Sequence, residues 1–429
     1  MKKRILFYIL KYLAKGILRR YHPIVIGITG SIGKTTTKDA IAYILSDTHR
    51  VGSTQKNFNN EIGLPLTILG ETSTPGKNIA DWIRLFFRAL VHTIYFHNYP
   101  EILVLEMGVD HPGDMKYLLS IVRPDIAVVT GISSTHLEFF GTVESIFEEK
   151  GLLIQSLSKN GTALLNADNM YSRLMKKDAM CRTILYGFSK NSTIRATNKV
   201  FLQETDQMGV SFKLEYKDKV IPIRLRNIVG KHHIEAILPG IAIAELMGRN
   251  LLEIAKKWEY FLPPVGRFRL IQGQKGSYIL DDTYNASPVS TRCGIASLGD
   301  FKKEDKIVVL GDMLELGKEE KEAHRSLQED IEKIQPKQVI LVGKRMKALF
   351  LELEKNKDRS YGVEWVGTPY EAPSFALPLL HKNTVVFVKG SQSMRMEIVV
   401  EALMENPKEA SKLLCRQDKR WKEIPFKIP

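Results

Sequence analysis

The stretch from Pro23 to Thr37, PIVIGITGSIGKTTT, constrains the fold of this chain more than any other segment. An apolar run predicts a β-strand, a glycine-rich turn follows, and the next residues, KDAIAYIL, are compatible with a helix. This order predicts a phosphate-binding loop, because glycines let backbone N–H groups approach a polyphosphate and a helix N-terminus favours negative charge. The residues that we expect to bind a nucleotide there are Gly30, Ser31, Gly33, Lys34, Thr35 and Thr36.

Two side chains of this loop have distinct expected roles. Lys34 would reach the β- and γ-phosphate oxygens, and the Thr35 hydroxyl could hold Mg²⁺. The full spacing of the motif puts glycine at position 28, where this chain has Ile28, so the loop is a variant. A chance glycine-rich turn is the alternative, but the strand, the GKT triplet and the helix stand in the right order.

Composition bounds the class of protein. The chain has 429 residues, of which 44% are hydrophobic and 26% charged, and this is typical of a folded protein of two or three domains. Cys181, Cys293 and Cys415 lie far apart without a C-x-x-C pair, so a reducing, cytoplasmic compartment fits best. The formal charge of +14 favours anionic partners such as nucleotides, nucleotide sugars and anionic lipid. No basic motif interleaved with aromatic residues indicates nucleic acid.

Apolar strand candidates alternate with helical patterns along most of the chain: ILVLEMG, DIAVVTGI, TALLNAD, SYILDDT, KIVVLGD, QVILVGK and TVVFVKG. This alternation predicts an α/β fold with parallel sheets and crossover helices. The proline-rich stretch 261–266 predicts a domain boundary. Residues 191–226 alternate polar and apolar side chains, and we interpret them as an inserted antiparallel patch.

Two further segments are apolar and basic. Residues 1–22 place Leu6, Leu10, Leu13 and Ile17 on one helical face, with cationic residues on another. The longest uninterrupted apolar run of this segment is too short to span a bilayer. The segment therefore either lies on an anionic membrane surface or packs on the domain. Residues 82–96, WIRLFFRALVHTIYF, leave the same two alternatives, and we favour a buried helix because the segment lies inside the nucleotide domain.

Two side chains at predicted strand ends could complete a metal site near the loop. Glu106 ends one apolar run, and His136 follows another. Because ligands of open α/β sheets gather beyond the carboxyl ends of the strands, both could reach a metal. Glu106 would face the same Mg²⁺ as Thr35. Without the phosphate-binding loop, each would be read as an ordinary solvated side chain.

A series of motifs resembles the ATP-dependent Mur ligases, in the family's order. They are TGSIGKTTT, NFNNEIGLPLTIL (57–69), EMG (106–108), SSTHLEFFGT (133–142), EEKG (148–151), NADN (166–169), PVGRF (264–268), DDTYNASP (281–288), LGDMLELG (310–317) and VKGSQSMRME (388–397). The resemblance covers roughly residues 23–405, and DDTYNASP, GDMLELG and the terminal KGS are most similar to the member that adds D-alanyl-D-alanine to the muramoyl tripeptide. After the basic segment 1–22, the resemblance implies a P-loop-type central ATPase domain at 23–262 with a mostly parallel sheet and a C-terminal Rossmann-like α/β domain at 263–429.

The resemblance implies a peptide ligase of peptidoglycan precursor synthesis that works through an acyl phosphate. In that reading Lys34 and the loop amides hold ATP, and Thr35 and Glu106 hold one Mg²⁺. His136 would hold a second Mg²⁺ beside the acceptor carboxylate. Lys150 matches the family lysine that is carbamylated, although by itself it would be read as an exposed helix lysine.

The resemblance also assigns residues of the C-terminal domain. Arg267 matches an arginine that closes onto the ATP phosphates, and Asp282 matches the acid that holds the ribose. Other residues match family positions that we expect to bind the incoming amine and the peptide. They are Asn59, Asn60, Asn285, Asp312, Lys389 and Ser391.

The chain departs from the family pattern in two respects. Relatives carry a domain that grips the UDP-sugar before the loop, where this chain offers only the basic segment 1–22. Family asparagines are replaced by Gly131, His233 and Ala236, at positions that tend to lie near the nucleotide. These departures leave three alternatives open: a Mur-type ligase with a lipid-linked or polymeric acceptor, a folate polyglutamylating ligase, and an ATP-binding membrane adaptor without catalysis.

The expected substrates follow from the resemblance, and the other expected partners follow from the residues themselves. They are UDP-muramoyl peptide and D-alanyl-D-alanine, with an anionic membrane surface contacted through residues 1–22 and no nucleic acid. We expect a monomer in the cytoplasm, peripheral to the inner face of the membrane.

Overall fold

The computed structural model describes residues 3–55, 58–73, 79–95, 98–133, 137–204, 207–302, 305–424 and 426–427. Within these ranges, two sheets organise the chain. The strands of the first sheet are β1 (Ile24–Thr29), β2 (Val51–Ser53), β3 (Ile102–Glu106), β4 (Ile126–Val129), β5 (Thr162–Asn166), β6 (Arg182–Gly187), β7 (Ile194–Glu204), β8 (Gln207–Tyr216) and β9 (Lys219–Arg226). Its helices are α1 (Lys3–Tyr21), α2 (Lys34–Leu45), α3 (Gly63–Ile68), α4 (Ile79–Ile94), α5 (Asp114–Leu119), α6 (Leu137–Phe140), α7 (Val143–Gln155), α8 (Met170–Leu174), α9 (Lys231–Leu246) and α10 (Leu251–Trp258).

The second sheet follows in the C-terminal part of the chain. Its strands are β10 (Arg269–Gln272), β11 (Tyr278–Asp282), β12 (Asp305–Gly311), β13 (Gln338–Val342), β14 (Gly362–Val366) and β15 (Thr384–Lys389). Its helices are α11 (Pro288–Leu298), α12 (Glu320–Arg325), α13 (Gln328–Ile334), α14 (Lys347–Leu353), α15 (Pro373–Ala376), α16 (Glu397–Leu403), α17 (Ala410–Leu413) and α18 (Lys419–Glu423). The boundary proposed at 262/263 falls between α10 and β10.

The strand order confirms the predicted α/β class. The first sheet runs β2-β3-β1-β4-β5-β6-β7-β8-β9, and the pairs from β2 to β7 are parallel. The antiparallel strands predicted in 191–226 are β7, β8 and β9, and they extend the edge of this sheet through β6. The second sheet runs β10-β11-β15-β12-β13-β14, and only its β10–β11 pair is antiparallel.

Apolar clusters cover both faces of each sheet, as parallel sheets require. On one face of the first sheet, α2, α9 and α10 contribute Ile41, Ile241 and Trp258. On the other face, α1 contributes Leu10 and Ile17 to a cluster shared with α3, α4 and α7. Helix α1 therefore packs on the domain through the face that carries Leu10 and Ile17. Among the helices of the described residues, none is long and apolar enough to cross a bilayer.

The prediction of a buried helix in 82–96 was wrong. Helix α4 buries only the face that carries Leu85 and Ala89, and it leaves Ile83 and Phe87 exposed to solvent. A helix that is apolar around most of its circumference is normally buried, and here the domain covers only the side that carries Leu85 and Ala89.

Candidate active site

A cavity of about 810 Å³ lies where the two sheets meet. Residues from the carboxyl ends of the strands in both sheets line it, which is where open α/β sheets bind ligands. The lining includes most residues that the sequence singled out: Ser31, Gly33, Lys34, Thr35, Thr36, Asn59, Asn60, Glu106, Arg267, Asp282, Asn285 and Lys389. Gly30, Lys150, Asp312 and Ser391 are not part of the lining, and His136 lies outside the described residues.

The loop between β1 and α2 is shaped to leave room for a ligand. Gly30 has a φ of 144°, and a Cβ added there would stand 2.0 Å from the hydroxyl oxygen of Thr130. Gly33 is left-handed with a φ of 84° and immediately precedes α2. The loop is fixed by Ser31, whose amide donates to the Gly131 carbonyl over 2.7 Å. These features make the start of α2 a cradle for an anion.

The Lys34 ammonium turns back onto this loop and donates to the carbonyl of Gly30 over 2.8 Å. Burial lowers its pKa, Glu106 and Asp110 act to raise that pKa, and Arg267 lowers it further. A phosphate at the cradle would add negative charge beside this cation and would act to raise its pKa.

Parallel pairing places Glu106 beside the start of the loop. Its β3 position pairs with Ile28 of β1, so its side chain emerges next to the glycine-rich turn. Asn59 donates from Nδ2 to Glu106 Oε1 over 3.2 Å, while Oε2 is buried without a hydrogen-bond partner in the described part of the chain. An unpaired buried carboxylate oxygen is a ready ligand for a hard cation.

Lys150 is almost completely buried on α7, contrary to the reading of an exposed helix lysine. Burial is the main cause that lowers its pKa to about 7, the nearby Lys34 lowers it further, and Asp110, Glu149 and Glu106 partly oppose this. A large fraction of this amine is therefore neutral and nucleophilic near pH 7.

Arg267 crosses from the second domain to the phosphate-binding loop. Its Nη2 donates to the Thr35 hydroxyl over 3.4 Å, and its guanidinium lies 4.0 Å from the ring centre of Tyr284. The preceding Gly266 has a φ of 69°, and its carbonyl accepts from the amide of Tyr284 over 3.0 Å. The turn and the ring thus hold a planar cation over the loop.

The buried ammonium of Lys389 and the partly exposed carboxylate of Asp282 form an ion pair at the ends of two adjacent strands. They are direct partners in the register of β11 and β15, and Lys389 Nζ donates to Asp282 Oδ2 over 2.6 Å. The same ammonium donates to the carbonyl of Asn285 over 2.9 Å. Burial lowers the pKa of Lys389, and Asp282 raises it. The acid and the lysine that the sequence assigned to different substrates therefore share one location.

Asp312 and Ser391 lie behind the cavity wall. Asp312 Oδ1 accepts from the amides of Arg345 and Met346 over 3.0 and 2.8 Å. The Ser391 hydroxyl accepts from the amide of Leu314 over 2.9 Å, and Leu314 does line the cavity. Both residues hold the backbone of the 312–316 loop. The Asn60 side chain accepts from the amide of Gly63 over 2.9 Å, in the turn that leads into α3.

Sequence reasoning missed several residues that shape the site. Thr130 closes against Gly30 and donates to the carbonyl of Ile32 over 2.6 Å. Asn169 pairs with both backbone groups of Ile132, over 3.1 and 2.9 Å. Asn169 lies in the NADN motif, and Tyr284 in DDTYNASP, so the motifs contained a signal. Thr130 carried none.

The three positions that depart from the family pattern, Gly131, His233 and Ala236, all line the cavity. His233 Nε2 lies 3.3 Å from the Phe268 carbonyl, and burial lowers the pKa of His233 to about 4. The adjacent His232 also has a pKa lowered by burial and by His233. Both imidazoles are neutral at pH 7, so these two side chains add no charge to the cavity.

The donor set fits a phosphate-bound magnesium ion better than a site formed by protein ligands alone. No group of three His, Cys, Asp or Glu side chains with metal-binding geometry occurs among the described residues. Glu106 Oε2 and the Thr35 hydroxyl are hard oxygen donors next to the anion cradle. Mg²⁺ commonly takes one or two protein oxygens and completes its shell with phosphates and waters.

Comparison with known families agrees with this site. The sequence matches the Mur ligase middle domain over residues 28–80 and 87–244, and the Mur ligase, glutamate ligase domain over residues 266–392. The chain belongs to the Mur ligase family.

Within the family, the similar relatives share one name. UDP-N-acetylmuramoyl-tripeptide–D-alanyl-D-alanine ligase of Haemophilus influenzae is 30% identical over 406 residues, which cover 92% of this chain and 80% of that protein. The Bacillus subtilis protein of the same name is 31% identical over 403 residues, covering 93% and 79%.

Solved structures agree. MurF ligase from Thermotoga maritima, in complex with ADP, superposes with a TM-score of 0.77 at 26% identity, covering 95% of this chain and 84% of that one. MurF from Acinetobacter baumannii gives a TM-score of 0.76 at 25% identity, covering 92% and 80%.

Proposed function

We propose that this chain is an ATP-dependent ligase of peptidoglycan precursor synthesis that joins D-alanyl-D-alanine to UDP-N-acetylmuramoyl-tripeptide, yielding ADP and phosphate. The observation that carries the proposal is the meeting of Arg267 from one domain with Thr35 of the phosphate-binding loop from the other. Similarity to enzymes named for this reaction supports the choice of substrates.

The reaction has two steps. An oxygen of the tripeptide carboxylate attacks the γ-phosphorus of ATP, the bond to the β,γ-bridging oxygen breaks, and ADP leaves. The dipeptide amine then attacks the acyl carbon, the bond from that carbon to the phosphate oxygen breaks, and the amine gives up a proton. Phosphate leaves with one oxygen from the original carboxylate.

The chain's own residues position and neutralise the phosphates, which is most of what phosphoryl transfer requires. In this proposal, the amides of Gly30, Gly33 and Thr36 bind phosphate oxygens, while the Ser31 amide holds the loop in shape through the Gly131 carbonyl. Lys34 leaves the Gly30 carbonyl for the transferred phosphate. Arg267 spreads the charge of that phosphate with its planar fork of donors. Asp282 binds the ribose.

Magnesium fits beside these groups. Thr35, Glu106, His136 and Lys150 would hold two Mg²⁺ ions, which would neutralise the phosphate charge. Lys150 would serve as a carbamate: its neutral amine adds to CO₂ with loss of a proton, which turns a cation into an anion. Its burial and its low pKa support this chemistry.

We assign the binding of the incoming dipeptide, which supplies the amine, to the second domain. Asn285 and Lys389 face the dipeptide, while Asp312 and Ser391 position the loop that carries Leu314. Asn59 positions Glu106 through their hydrogen bond, and Asn60 holds the turn before α3.

The cellular setting completes the proposal. We propose a monomer in the cytoplasm that contacts the inner face of the membrane through the segment 1–22 and binds no nucleic acid. The formal charge of +14 and the lack of any acidic residue in α1 support contact with an anionic surface.

The test is incubation with ATP, Mg²⁺ and UDP-N-acetylmuramoyl-tripeptide, with and without D-alanyl-D-alanine, followed by phosphate assay and mass detection of the product. We expect phosphate release that depends on the dipeptide and a pentapeptide product. Lys34→Ala and Lys150→Ala should both abolish it. ATP binding without turnover, unaffected by Lys150→Ala, would favour the non-catalytic adaptor. Turnover only with a lipid-linked acceptor would favour the alternative ligase.

A further inference from the structure

Helix α4 presents an apolar stripe to solvent. Ile83, Phe87, Leu90 and Ile94 recur at the spacing of one helical face, and their exposed fractions are 61%, 68%, 50% and 58%. The opposite face is used for packing, because Leu85 and Ala89 belong to the buried cluster on the first sheet. A contiguous exposed stripe of large apolar residues normally marks an interaction surface.

Helix α1 lies beside α4 and adds a second stripe. The Tyr21 hydroxyl donates to the carbonyl of His92 over 2.9 Å, and a Cβ on Gly16 would lie 3.0 Å from Thr93. The outer stripe of α1 consists of Ile5, Tyr8, Tyr12, Lys15 and Arg19. Its first half is apolar and its second half cationic. Both stripes lie opposite the buried faces of their helices.

Cations border the apolar residues. Arg84 and Arg88 are exposed on α4 next to its stripe, and Arg88 pairs with Glu71. Asp81 is the only acidic residue in the sequence of α4, and α1 has none.

The cationic half of the α1 stripe continues into a basic groove of about 590 Å³. The cationic and imidazole groups of this groove come from Lys15, Arg19, His22 and Arg123. The groove also contains the carboxylate of Asp125, which accepts from the amide of Val25 over 2.8 Å. The apolar stripe of α4, the stripe of α1 and this groove form one surface, which we call the α1/α4 face.

We propose that the α1/α4 face docks on an anionic lipid bilayer, with the α4 stripe entering the headgroup region and the cations contacting lipid phosphates. An apolar stripe bordered by Arg and Lys is the pattern of a helix that lies in a membrane interface. A second copy is a poorer occupant, because facing copies would bring Arg19, Arg84 and Lys15 against like charges. This assignment deepens the membrane contact proposed above by placing it mainly on α4, and it does not depend on the ligase reaction.

The test is sedimentation of the full chain with vesicles of phosphatidylcholine alone or with phosphatidylglycerol added. We expect binding to the anionic vesicles that weakens as salt is raised. The double variant Phe87→Gln/Leu90→Gln should weaken it at least about tenfold, and Arg19→Gln/Arg84→Gln by a similar factor. All four side chains are exposed, so the fold should persist, which thermal unfolding would verify.

Matched control variants distinguish vesicle binding through the α1/α4 face from nonspecific hydrophobic adsorption. Leu252 and Leu351 are 61% and 52% exposed elsewhere on the molecule, and Leu252→Gln/Leu351→Gln should leave vesicle binding unchanged. Phosphate release with soluble substrates should be the same in all variants, so failure of this proposal would be distinct from failure of the proposed function.

Three results would overturn the assignment. One is no binding to either kind of vesicle, or equal binding to both. Another is binding that Phe87→Gln/Leu90→Gln leaves intact. The third is self-association in sedimentation velocity that this variant abolishes without any vesicle binding, which would make the face a contact between copies.

Discussion

The Nη2 atom of Arg267 lies 3.4 Å from the hydroxyl oxygen of Thr35, although 232 positions separate the two residues in sequence. The contact joins a turn of the second domain to the phosphate-binding loop of the first. Since Thr35 follows the lysine of that loop, a phosphate bound there would lie within reach of cations from both domains. The site is therefore complete only when the domains are together.

Arg267→Ala should lower kcat by roughly 10²–10³-fold, because one preorganised donor to the transferred phosphate is lost. Arg267→Lys should recover little of this, since an ammonium lacks the planar fork and stacks less well on Tyr284. Steady-state phosphate release measures both. Arg292→Ala, an exposed arginine on α11, is the control, and a full kcat in Arg267→Ala would contradict the assignment.

Glu106→Gln should raise the Mg²⁺ concentration for half-maximal activity by about tenfold, because a carboxylate ligand becomes a neutral amide of the same shape. The hydrogen bond from Asn59 can persist to the amide oxygen, so the fold should be little changed. A magnesium titration of phosphate release measures the shift. An identical titration curve would show that Glu106 does not hold the metal.

Lys150→Met should stabilise the protein by about 3 kcal/mol at or below pH 7, in buffer free of CO₂. The pKa of Lys150 is about 7 in the folded state against a model value of 10.5. Below pH 7 the amine is charged in both states and its burial disfavours folding. Between pH 7 and 10.5 the unfolded state binds more protons, so wild-type stability rises relative to the variant.

Urea denaturation of wild type and Lys150→Met across this pH range measures the difference. It should be largest at low pH and shrink as the pH approaches 10. A difference that is constant with pH would show that Lys150 titrates alike in the folded and unfolded states.

Asp282→Asn should lower the free energy of unfolding by about 3 kcal/mol, because Lys389 would remain buried without its anionic partner. Adding Lys389→Met in that background should restore part of the loss. Denaturant titrations of the single and double variants test this. Equal stability of Asp282→Asn and wild type would mean that the carboxylate does not stabilise the lysine.

The phosphate-binding loop was predictable because its strand, turn and helix are consecutive in sequence, and the structure has them as β1, a glycine turn and α2. The alternation of strands and helices was predictable for the same local reason. The pairing of Asp282 with Lys389 was not, since it depends on the register of strands that are 107 positions apart.

The outward face of α4 is a feature that could not be predicted from the sequence. Its sequence is apolar around most of the helix, and no local pattern tells which half the domain covers. Burial of Lys150 was missed for a related reason: its neighbours Glu148 and Glu149 indicate a solvated helix, while the packing of α7 against α5 and β1 decides the outcome.

Isotope transfer tests the central claim, activation of a carboxylate in this cleft, most directly. With ¹⁸O in the terminal carboxylate of UDP-N-acetylmuramoyl-tripeptide, we expect each molecule of pentapeptide product to be matched by phosphate that carries one ¹⁸O atom. Unlabelled phosphate, released at the same rate with or without the dipeptide, would mean that water attacks ATP and would contradict the account.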